Sequence, residues 1–468
     1  MRKESRKNSL IVSAVLVDNS FYRLGIWALL EYLVRSWSKA QGIRRWLSDV
    51  ERCSVGAPTQ EGIGFQLRFG EVLGNFEQHL RELSGSGGTI IGYVYPHAPL
   101  ELIFAHGITP SLVWTNPSVQ GGFEASLQTF SCSLTRNLFG QRSNGGLPFL
   151  SGLLFPSNTC DSLHNVSDVW RRRFPEDKVF KLTYPAARLS DDSVRFLAEE
   201  LRILSQCLKD VYGPPLSNDA LSAAASLVND FRDAAQILYS CRVVDPSLVS
   251  YSEAARMVRQ FLAIPSADAV DQISKSANAA SQILEERGQL TVVKSLRKEL
   301  LSEALGDIRI HVESSFPRIL VAGGMVEPMV VASLFKGSER IGGEVVVLDL
   351  LSFGFKTVFT PPVDLEGDPF VAISRSILGA PSEPTQEGLP GRLEFLKGVL
   401  SRLSIDGLVV CEQSFCDPDQ FEAPSLVKAA SEVNVPSVRL PIDPELSDRN
   451  RLEGRIQSFL ETLEGGAR

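Results

Sequence analysis

The feature that most constrains the fold is a short pattern that occurs twice in the chain. Residues 151–161 and 406–417 each contain a glycine, an apolar segment of strand character, a short polar loop and then the pair Cys-Asp. The two cysteines are Cys160 and Cys416. Two copies of one α/β unit are the simplest explanation, and a chance similarity of this length is the alternative.

Short apolar segments bounded by turn residues form two groups along the chain. The first group covers 89–95, 111–114, 152–155 and 179–183, and the second covers 318–322, 344–348, 407–410 and 437–440. Helical or loop segments separate the members of each group, as in the βαβ arrangement of a parallel sheet. Long helical patterns fill the region between the groups, and one of them runs from 267 to 305 without a predicted break.

These patterns predict an α/β protein with two Rossmann-like or flavodoxin-like parallel-sheet domains. We place the first domain at 85–190 and the second at 306–468, with a helical middle segment at 191–305 between them. Apolar residues at helical spacing before the Ser-Gly run at 84–88 predict a helical leader at 1–84.

Composition and charge exclude several classes of protein. The 468 residues are 44% hydrophobic and 22% charged, which rules out a mainly disordered or fibrous chain. The net charge of −8 offers no general attraction to nucleic acid or anionic lipid. No apolar stretch reaches the roughly 20 residues of a membrane span. Seven cysteines, an odd number spread over a long chain, favour a reducing compartment, and we predict a cytoplasmic protein.

Three of the cysteines lie where a parallel sheet places its ligands. Cys160 and Cys416 come just after predicted strands, and Cys132 lies between two strands of the first group. Ligands gather beyond the carboxyl ends of parallel strands, so the three thiols can meet between the two domains. Thiolates suit a soft metal centre, most naturally a [4Fe–4S] cluster with three protein ligands and one open iron. The alternative is that these are buried small hydrophobes or loop thiols.

An ordered series of motifs gives the chain a resemblance to a known family. The motifs are residues 92–110, which begin Gly-Tyr-Val-Tyr-Pro-His, then Gln-Thr-Phe-Ser-Cys at 128–132, Ser-Asn-Thr-Cys-Asp at 157–161 and Phe-Cys-Asp at 415–417. Together with the tail at 455–461, this order resembles the 2-hydroxyacyl-CoA dehydratase / benzoyl-CoA reductase family. The segment 160–175 is most similar to the smaller cluster-bearing subunit of ATP-dependent benzoyl-CoA reductases. The resemblance covers roughly residues 89–465.

The resemblance implies a cofactor, partners and a substrate. It implies one oxygen-sensitive [4Fe–4S] cluster in each subunit, with Cys132, Cys160 and Cys416 as its ligands here. It also implies a heterodimer with a paralogous subunit, or a homodimer, and a separate ATP-hydrolysing [4Fe–4S] activator that supplies low-potential electrons. The implied substrate is an acyl-CoA or aryl-CoA thioester. The sequence lacks a P-loop, so ATP hydrolysis is expected in the activator and not in this chain.

Three functions remain open on the sequence. The favoured one is the [4Fe–4S] subunit of a reductase of the benzoyl-CoA reductase type, which transfers single electrons. The second is a subunit of a 2-hydroxyacyl-CoA dehydratase, in which the substrate radical expels hydroxide. The third is a non-catalytic partner subunit that relays electrons or supports assembly.

Two residues beyond the first predicted strand are candidates for catalysis. His97 lies two residues past the strand end and can donate a proton, or instead hydrogen-bond the loop. Glu101 follows at the start of a helix, where its carboxylate can reach the thioester or the open iron, or simply interact favourably with the helix dipole. Cys411 follows an apolar strand segment, and we interpret it as a core residue and not as a fourth cluster ligand.

Overall fold

The computed structural model describes residues 76–187, 189–306, 308–312, 316–335 and 345–466. Most of the helical leader predicted at 1–84 lies outside the described residues. Its described end forms helix α1, Phe76–Gly85.

The first sheet contains four parallel strands, β1 (Ile90–Tyr93), β2 (Thr109–Leu112), β3 (Gly152–Ser157) and β4 (Val179–Thr183). Their order across the sheet is β2-β1-β3-β4. The connecting helices are α2 (Leu100–Ala105), α3 (Ser133–Ser143) and α4 (Asp161–Arg173). Every residue of β1 and β3 is buried, because helices cover both faces of the sheet. This burial explains why both strands are continuous apolar runs in the sequence.

Helices make up the middle of the chain. They are α5 (Asp191–Tyr212), α6 (Asn218–Val244), α7 (Tyr251–Ala263), α8 (Ala267–Glu286) and α9 (Leu290–Leu301). The unbroken helical pattern predicted over 267–305 is wrong, since it forms two helices. The chain turns at Gly288, whose φ of 70° lies in the left-handed region that ends helices.

The second sheet repeats the plan of the first. Its parallel strands are β5 (Ile319–Gly323), β6 (Val346–Leu350), β7 (Gly407–Gln413) and β8 (Ser437–Ile442), in the order β6-β5-β7-β8. The accompanying helices are α10 (Pro328–Phe335), α11 (Pro369–Leu378), α12 (Leu389–Arg402), α13 (Asp417–Glu432) and α14 (Arg449–Gly466).

The two sheets therefore share one topology. In each, the first strand along the chain lies between the second and the third, and the fourth lies at the edge. This is the order of the first four strands of flavodoxin-like folds, in which the ligand binds between the first and third strands. The predicted α/β fold with two parallel sheets and flanking helices is confirmed, and the shared topology supports an internal repeat.

Helix α6 connects the two sheets through buried arginines. Arg232 forms an ion pair with Glu101 of α2, beside the first sheet. Further along α6, Arg242 donates hydrogen bonds to the carbonyl oxygens of Val249 and Val346, the latter in β6 of the second sheet. Buried charged groups of this kind fix one relative arrangement, because each of them is costly without its partner.

Within the described ranges, no helix is both long enough and apolar enough to cross a membrane.

Candidate metal centre

Cys160 and Cys416 occupy equivalent places in the two sheets. Each lies in the loop after the third strand of its sheet and is the residue directly before a helix, α4 or α13. Each loop also contains a non-glycine residue in the left-handed region, Asn158 with φ 65° and Phe415 with φ 60°. The repeated sequence pattern therefore corresponds to a repeated strand–loop–helix structure with a cysteine at its tip.

Cys132 lies at the start of α3, in the first sheet unit, and a direct contact between the units brings it to the second. The backbone N–H of Ser133 donates a hydrogen bond of 2.9 Å to the carbonyl oxygen of Ser414, just before Cys416. The side-chain amide of Gln413 donates a second, of 2.6 Å, to the Ser133 hydroxyl. Two hydrogen bonds thus join the end of β7 and the loop after it to the first turn of α3.

The three thiols are buried together. Cys132, Cys160 and Cys416 are 4%, 5% and 6% exposed. The interaction between the Cys132 and Cys416 side chains lowers the pKa of the Cys132 thiol and raises that of Cys416. Burial, reinforced by the charge of Cys132, raises the pKa of Cys160 to about 12. The structure therefore brings the three cysteines predicted as ligands into one cluster.

Three helix N-termini face this cluster. Cys132, Cys160 and Cys416 are the N-cap residues of α3, α4 and α13, and the backbone N–H groups of the first turns act to lower the pKa of the Cys132 and Cys160 thiols. The helix dipole places partial positive charge at these ends, which stabilises thiolates or any other anionic group there. Burying three ionised sulfurs costs free energy unless they bind a cation or a metal cluster that offsets their charge.

The donor set fits an iron–sulfur cluster better than a single metal ion. Among the described residues, no group of three His, Cys, Asp or Glu side chains is arranged to hold one ion. A [4Fe–4S] cluster makes a different demand, because each of its cysteines binds a different iron and the sulfurs stand farther apart. Three buried thiols at three helix N-termini meet that demand.

His97 is buried in the loop after β1 and, like Cys160, interacts electrostatically with Glu383. Its ring meets the ring of Tyr95 edge-on, with 5.5 Å between the centroids. Burial lowers the pKa of His97, and Lys356 and Arg232 lower it further, against the opposing effect of Glu383. The imidazole is therefore neutral at neutral pH. Among the described residues, its Nε2 atom has no hydrogen-bond partner.

A buried polar network centres on Glu383, a residue that sequence reasoning missed. Glu383 is fully buried, and its charge interacts with Cys160, His97 and Lys356. Burial raises the pKa of Glu383, but His97 and Lys356 outweigh that effect, so the net shift is downward. The side chains of Tyr95 and Ser352 also interact with the Glu383 carboxylate, and the Thr385 hydroxyl donates a 2.6 Å hydrogen bond to its Oε1 atom. Glu383 therefore connects His97, Lys356 and Cys160 through one buried polar network.

Glu101 is held in a buried ion pair. One of its carboxylate oxygens lies 2.9 Å from the guanidinium of Arg232 on α6. No hydrogen bond or ion pair joins Glu101 to the three cysteines in the described structure. Cys411 lies inside β7 and is almost fully buried, and burial raises the pKa of its thiol.

Lys356 and Asp419 are further site residues that the sequence analysis did not identify. Lys356 follows β6 and lies near Glu383, and Asp419 lies in the first turn of α13, where its carboxylate accepts a 3.0 Å hydrogen bond from the backbone N–H of Gln413. Burial raises the pKa of Asp419 to about 7. Both come just past strand ends, the same signal that identified the cysteines.

The fold and this cluster define a two-domain α/β protein with a candidate thiolate-bound metal centre between its strand ends. Residues 96–463 match the family described as 2-hydroxyglutaryl-CoA dehydratase, D-component. The chain belongs to this family, which confirms the resemblance found in the sequence motifs.

Relatives of the chain are named as enzyme subunits. Lactoyl-CoA dehydratase subunit beta of Anaerotignum propionicum is 22% identical over 389 residues, 81% of this chain and 92% of the relative. A benzoyl-CoA reductase subunit of Thauera aromatica is 24% identical over 388 residues, 80% and 90% of the two chains. (R)-2-hydroxyglutaryl-CoA dehydratase, subunit beta, of Acidaminococcus fermentans is 22% identical over 404 residues, 84% and 98%. The family is thus one of enzyme subunits of the oxidoreductase or lyase kind.

Proposed function

We propose that this chain is the [4Fe–4S] subunit of a low-potential acyl-CoA or aryl-CoA reductase of the benzoyl-CoA reductase type. Cys132, Cys160 and Cys416 are the ligands of its cluster. The observation that carries this proposal is the convergence of three buried thiols, from both sheet units, at three helix N-termini. The similarity to the benzoyl-CoA reductase subunit of Thauera aromatica supports the reaction type.

The bound cluster would supply single low-potential electrons. The chain's own residues provide the surroundings that such chemistry needs. Burial of the three cysteines excludes water, and the helix N-termini stabilise negative charge at the centre. His97 is the candidate proton donor, since it is buried just past β1 and its Nε2 atom has no hydrogen-bond partner among the described residues. It would donate from its imidazolium form, which the lowered pKa makes a stronger acid. Glu101, held by Arg232, is the second candidate for a catalytic role.

The enzyme in this proposal has more than one component. A paralogous subunit, or a second copy of this chain, completes the complex, and a separate ATP-hydrolysing [4Fe–4S] activator delivers the electrons. The names of the relatives describe each of them as one subunit of an enzyme, which supports a partner for this chain. The complex works in the cytoplasm, which agrees with the free thiols of the described cysteines.

A 2-hydroxyacyl-CoA dehydratase subunit is the second candidate function. Two relatives are named as beta subunits of such dehydratases, at 22% identity each. In that reaction the substrate loses hydroxide and no net electrons are consumed.

Iron content tests the cluster. After anaerobic purification the wild-type chain should carry about four irons, the content of one [4Fe–4S] cluster. Cys132→Ala, Cys160→Ala and Cys416→Ala should each lose most of this iron and the visible absorption that accompanies it. Cys241→Ala is the matched control, because Cys241 is equally buried but lies in α6 away from the strand ends. Full iron in all three test variants would show that these residues are not the ligands.

Product analysis separates the two functions. With its partner subunit and a reduced activator, the proposed reductase converts benzoyl-CoA to a dienoyl-CoA and consumes electrons in proportion. A dehydratase converts a 2-hydroxyacyl-CoA to an enoyl-CoA without net electron consumption. Turnover of the 2-hydroxyacyl-CoA alone would overturn the reductase proposal in favour of the dehydratase.

A further inference from the structure

A cavity lies beside β2, the edge strand of the first sheet. Its volume is about 420 Å³, and small-molecule sites typically measure about 300–1,000 Å³. Five parts of the chain form its wall: helix α1, strand β2 with the loop after it, the end of α3, the segment before β3, and helix α7. The cavity is therefore large enough for a small organic molecule.

The cavity and the candidate metal centre lie at opposite ends of α3. Cys132 directly precedes this helix, whereas Gln141 in its last turn and Asn144 just after it line the cavity. The 11 residues of α3, at roughly 1.5 Å per residue, span about 16 Å. A small molecule in this cavity therefore does not touch the three cysteines, and the proposed reaction does not use the cavity.

The wall combines an apolar surface with one cation. Among the described residues that line the cavity, Arg259 on α7 is the single charged one. The large apolar side chains of the wall are Leu80, Leu112, Trp114, Leu147, Phe149 and Leu150. One cation in an otherwise uncharged, largely apolar wall favours a ligand that joins one negative charge to an apolar group.

The guanidinium of Arg259 is held in place by an aromatic ring. It lies over the indole of Trp114, 5.1 Å from the ring centroid. Trp114 is itself fixed, since its ring meets that of Phe353 edge-on, with 5.6 Å between the centroids. Its carbonyl oxygen also accepts a 2.9 Å hydrogen bond from the side chain of Gln141. A guanidinium stacked in this way loses little further freedom when it binds a ligand.

Arg259 has one acidic neighbour, which leaves it able to bind an anion from the cavity. Glu327 Oε2 lies 3.7 Å from the guanidinium, a separation too long for a hydrogen bond. The Oε1 atom of Glu327 is occupied by Thr115, which donates to it from both its backbone N–H and its hydroxyl. The Glu327 side chain is 4% exposed, whereas that of Arg259 is 30% exposed. Arg259 therefore keeps N–H donors for a ligand.

We propose that this cavity binds a small organic carboxylate, whose carboxylate group pairs with Arg259 while its apolar part packs against the leucine and phenylalanine side chains of the wall. A carboxylate matches the planar guanidinium through two parallel hydrogen bonds. Because Glu327 already offsets part of the Arg259 charge, a single negative charge suits the site better than the double charge of a phosphate monoester.

Calorimetry with phenylacetate tests the site on the full chain. Phenylacetate joins an aromatic ring to a carboxylate, and phenylacetamide has a neutral amide in place of that carboxylate. Arg259→Met should weaken phenylacetate binding by about tenfold or more, equivalent to about 1.4 kcal/mol. Phenylacetamide should bind the wild-type chain more weakly than phenylacetate by a similar factor.

Arg256→Met is the matched control, because Arg256 lies on the same helix and does not line the cavity. It should bind phenylacetate with wild-type affinity. Wild-type affinity in Arg259→Met would overturn the assignment. So would equal binding of the acid and the amide, or an absence of phenylacetate binding by the wild-type chain.

Arginine labelling provides a second measurement that needs no variant. Butane-2,3-dione modifies accessible guanidinium groups, and peptide mass spectrometry locates the modified arginines. Saturating phenylacetate should protect Arg259 from modification and leave the labelling of Arg256 unchanged. Equal labelling of Arg259 with and without phenylacetate would contradict the proposal, even if Arg259→Met failed to fold.

The cysteine variants separate this site from the metal centre. Cys160→Ala should bind phenylacetate with wild-type affinity, because Cys160 does not line the cavity. Loss of binding in a Cys160→Ala chain with an unchanged circular dichroism spectrum would place the ligand at the metal centre and overturn the assignment. If the cysteine variants instead keep their iron while phenylacetate binding depends on Arg259, the cluster assignment fails and the cavity assignment stands.

Discussion

The buried ion pair between Glu101 and Arg232 allows a direct test of whether Glu101 is structural or catalytic. The side chains are 1% and 9% exposed, so water screens their interaction very little. Removing one partner of a buried pair typically costs about 3–5 kcal/mol, because the other charge is left without compensation. For Glu101→Gln we expect the lower end, about 3 kcal/mol, because the amide oxygen and the Ser376 hydroxyl, 3.4 Å from Arg232, still accept hydrogen bonds.

The double variant measures how much Glu101 and Arg232 stabilise each other. Replacing both residues, as Glu101→Gln with Arg232→Met, removes the unpaired charge together with its partner. We therefore expect the double variant to lose less stability than the sum of the two single losses, by about 0.5–3 kcal/mol, the usual coupling energy of contacting residues. Urea denaturation of the four chains, followed by circular dichroism at 25 °C, measures both quantities.

Activity of the same variants then decides the role of Glu101. If Glu101 only connects α2 to α6, the double variant should regain activity together with stability. If Glu101 acts on the substrate, the double variant should be stable and inactive. Additive losses, in which the double variant is destabilised by the sum of the two single effects, would refute the reasoning, since they would mean that the ion pair contributes no coupling.

Three further changes have defined expectations. Gly354→Ala should destabilise the chain by about 1–3 kcal/mol, because the new methyl group overlaps the Asp349 carboxylate; an unchanged urea midpoint would contradict this. Gln413→Leu should cost about 1–3 kcal/mol, since it leaves the buried Ser133 hydroxyl without its donor across the two sheet units; Gln420→Leu, at an exposed position on α13, is the control. Burial lowers the pKa of His97 from its ordinary value of 6.5, so the unfolded chain binds a proton there more readily. Stability should therefore fall as the pH drops below about 6.5, and His97→Gln should weaken that dependence; an identical pH profile for the variant would show that His97 is not responsible.

Local pattern was sufficient to predict the two sheets and the loops that hold Cys160 and Cys416. Strands β1, β3, β5 and β7 are buried on both faces, so each appears in the sequence as an apolar run between turn residues. The cysteines follow two of these strands directly, and a residue just past a parallel strand lies at the ligand-binding edge whatever else surrounds it. The break at Gly288 escaped the same reasoning, because a single glycine within a long helical pattern does not by itself predict a turn.

What surrounds the cysteines was decided by tertiary structure alone. Cys132 reaches Cys416 because Ser133 and Ser414, 281 positions apart, share a hydrogen bond. Lys356, Glu383 and His97 likewise come from separate loops of both sheet units, and the sequence identified only His97 as a candidate site residue. The sequence determines which residues end each strand, since burial and turn chemistry act over a few neighbouring positions. Which strand ends face each other depends on how helices such as α6 orient the two sheets, and that arrangement arises from many long-range contacts that no local pattern records.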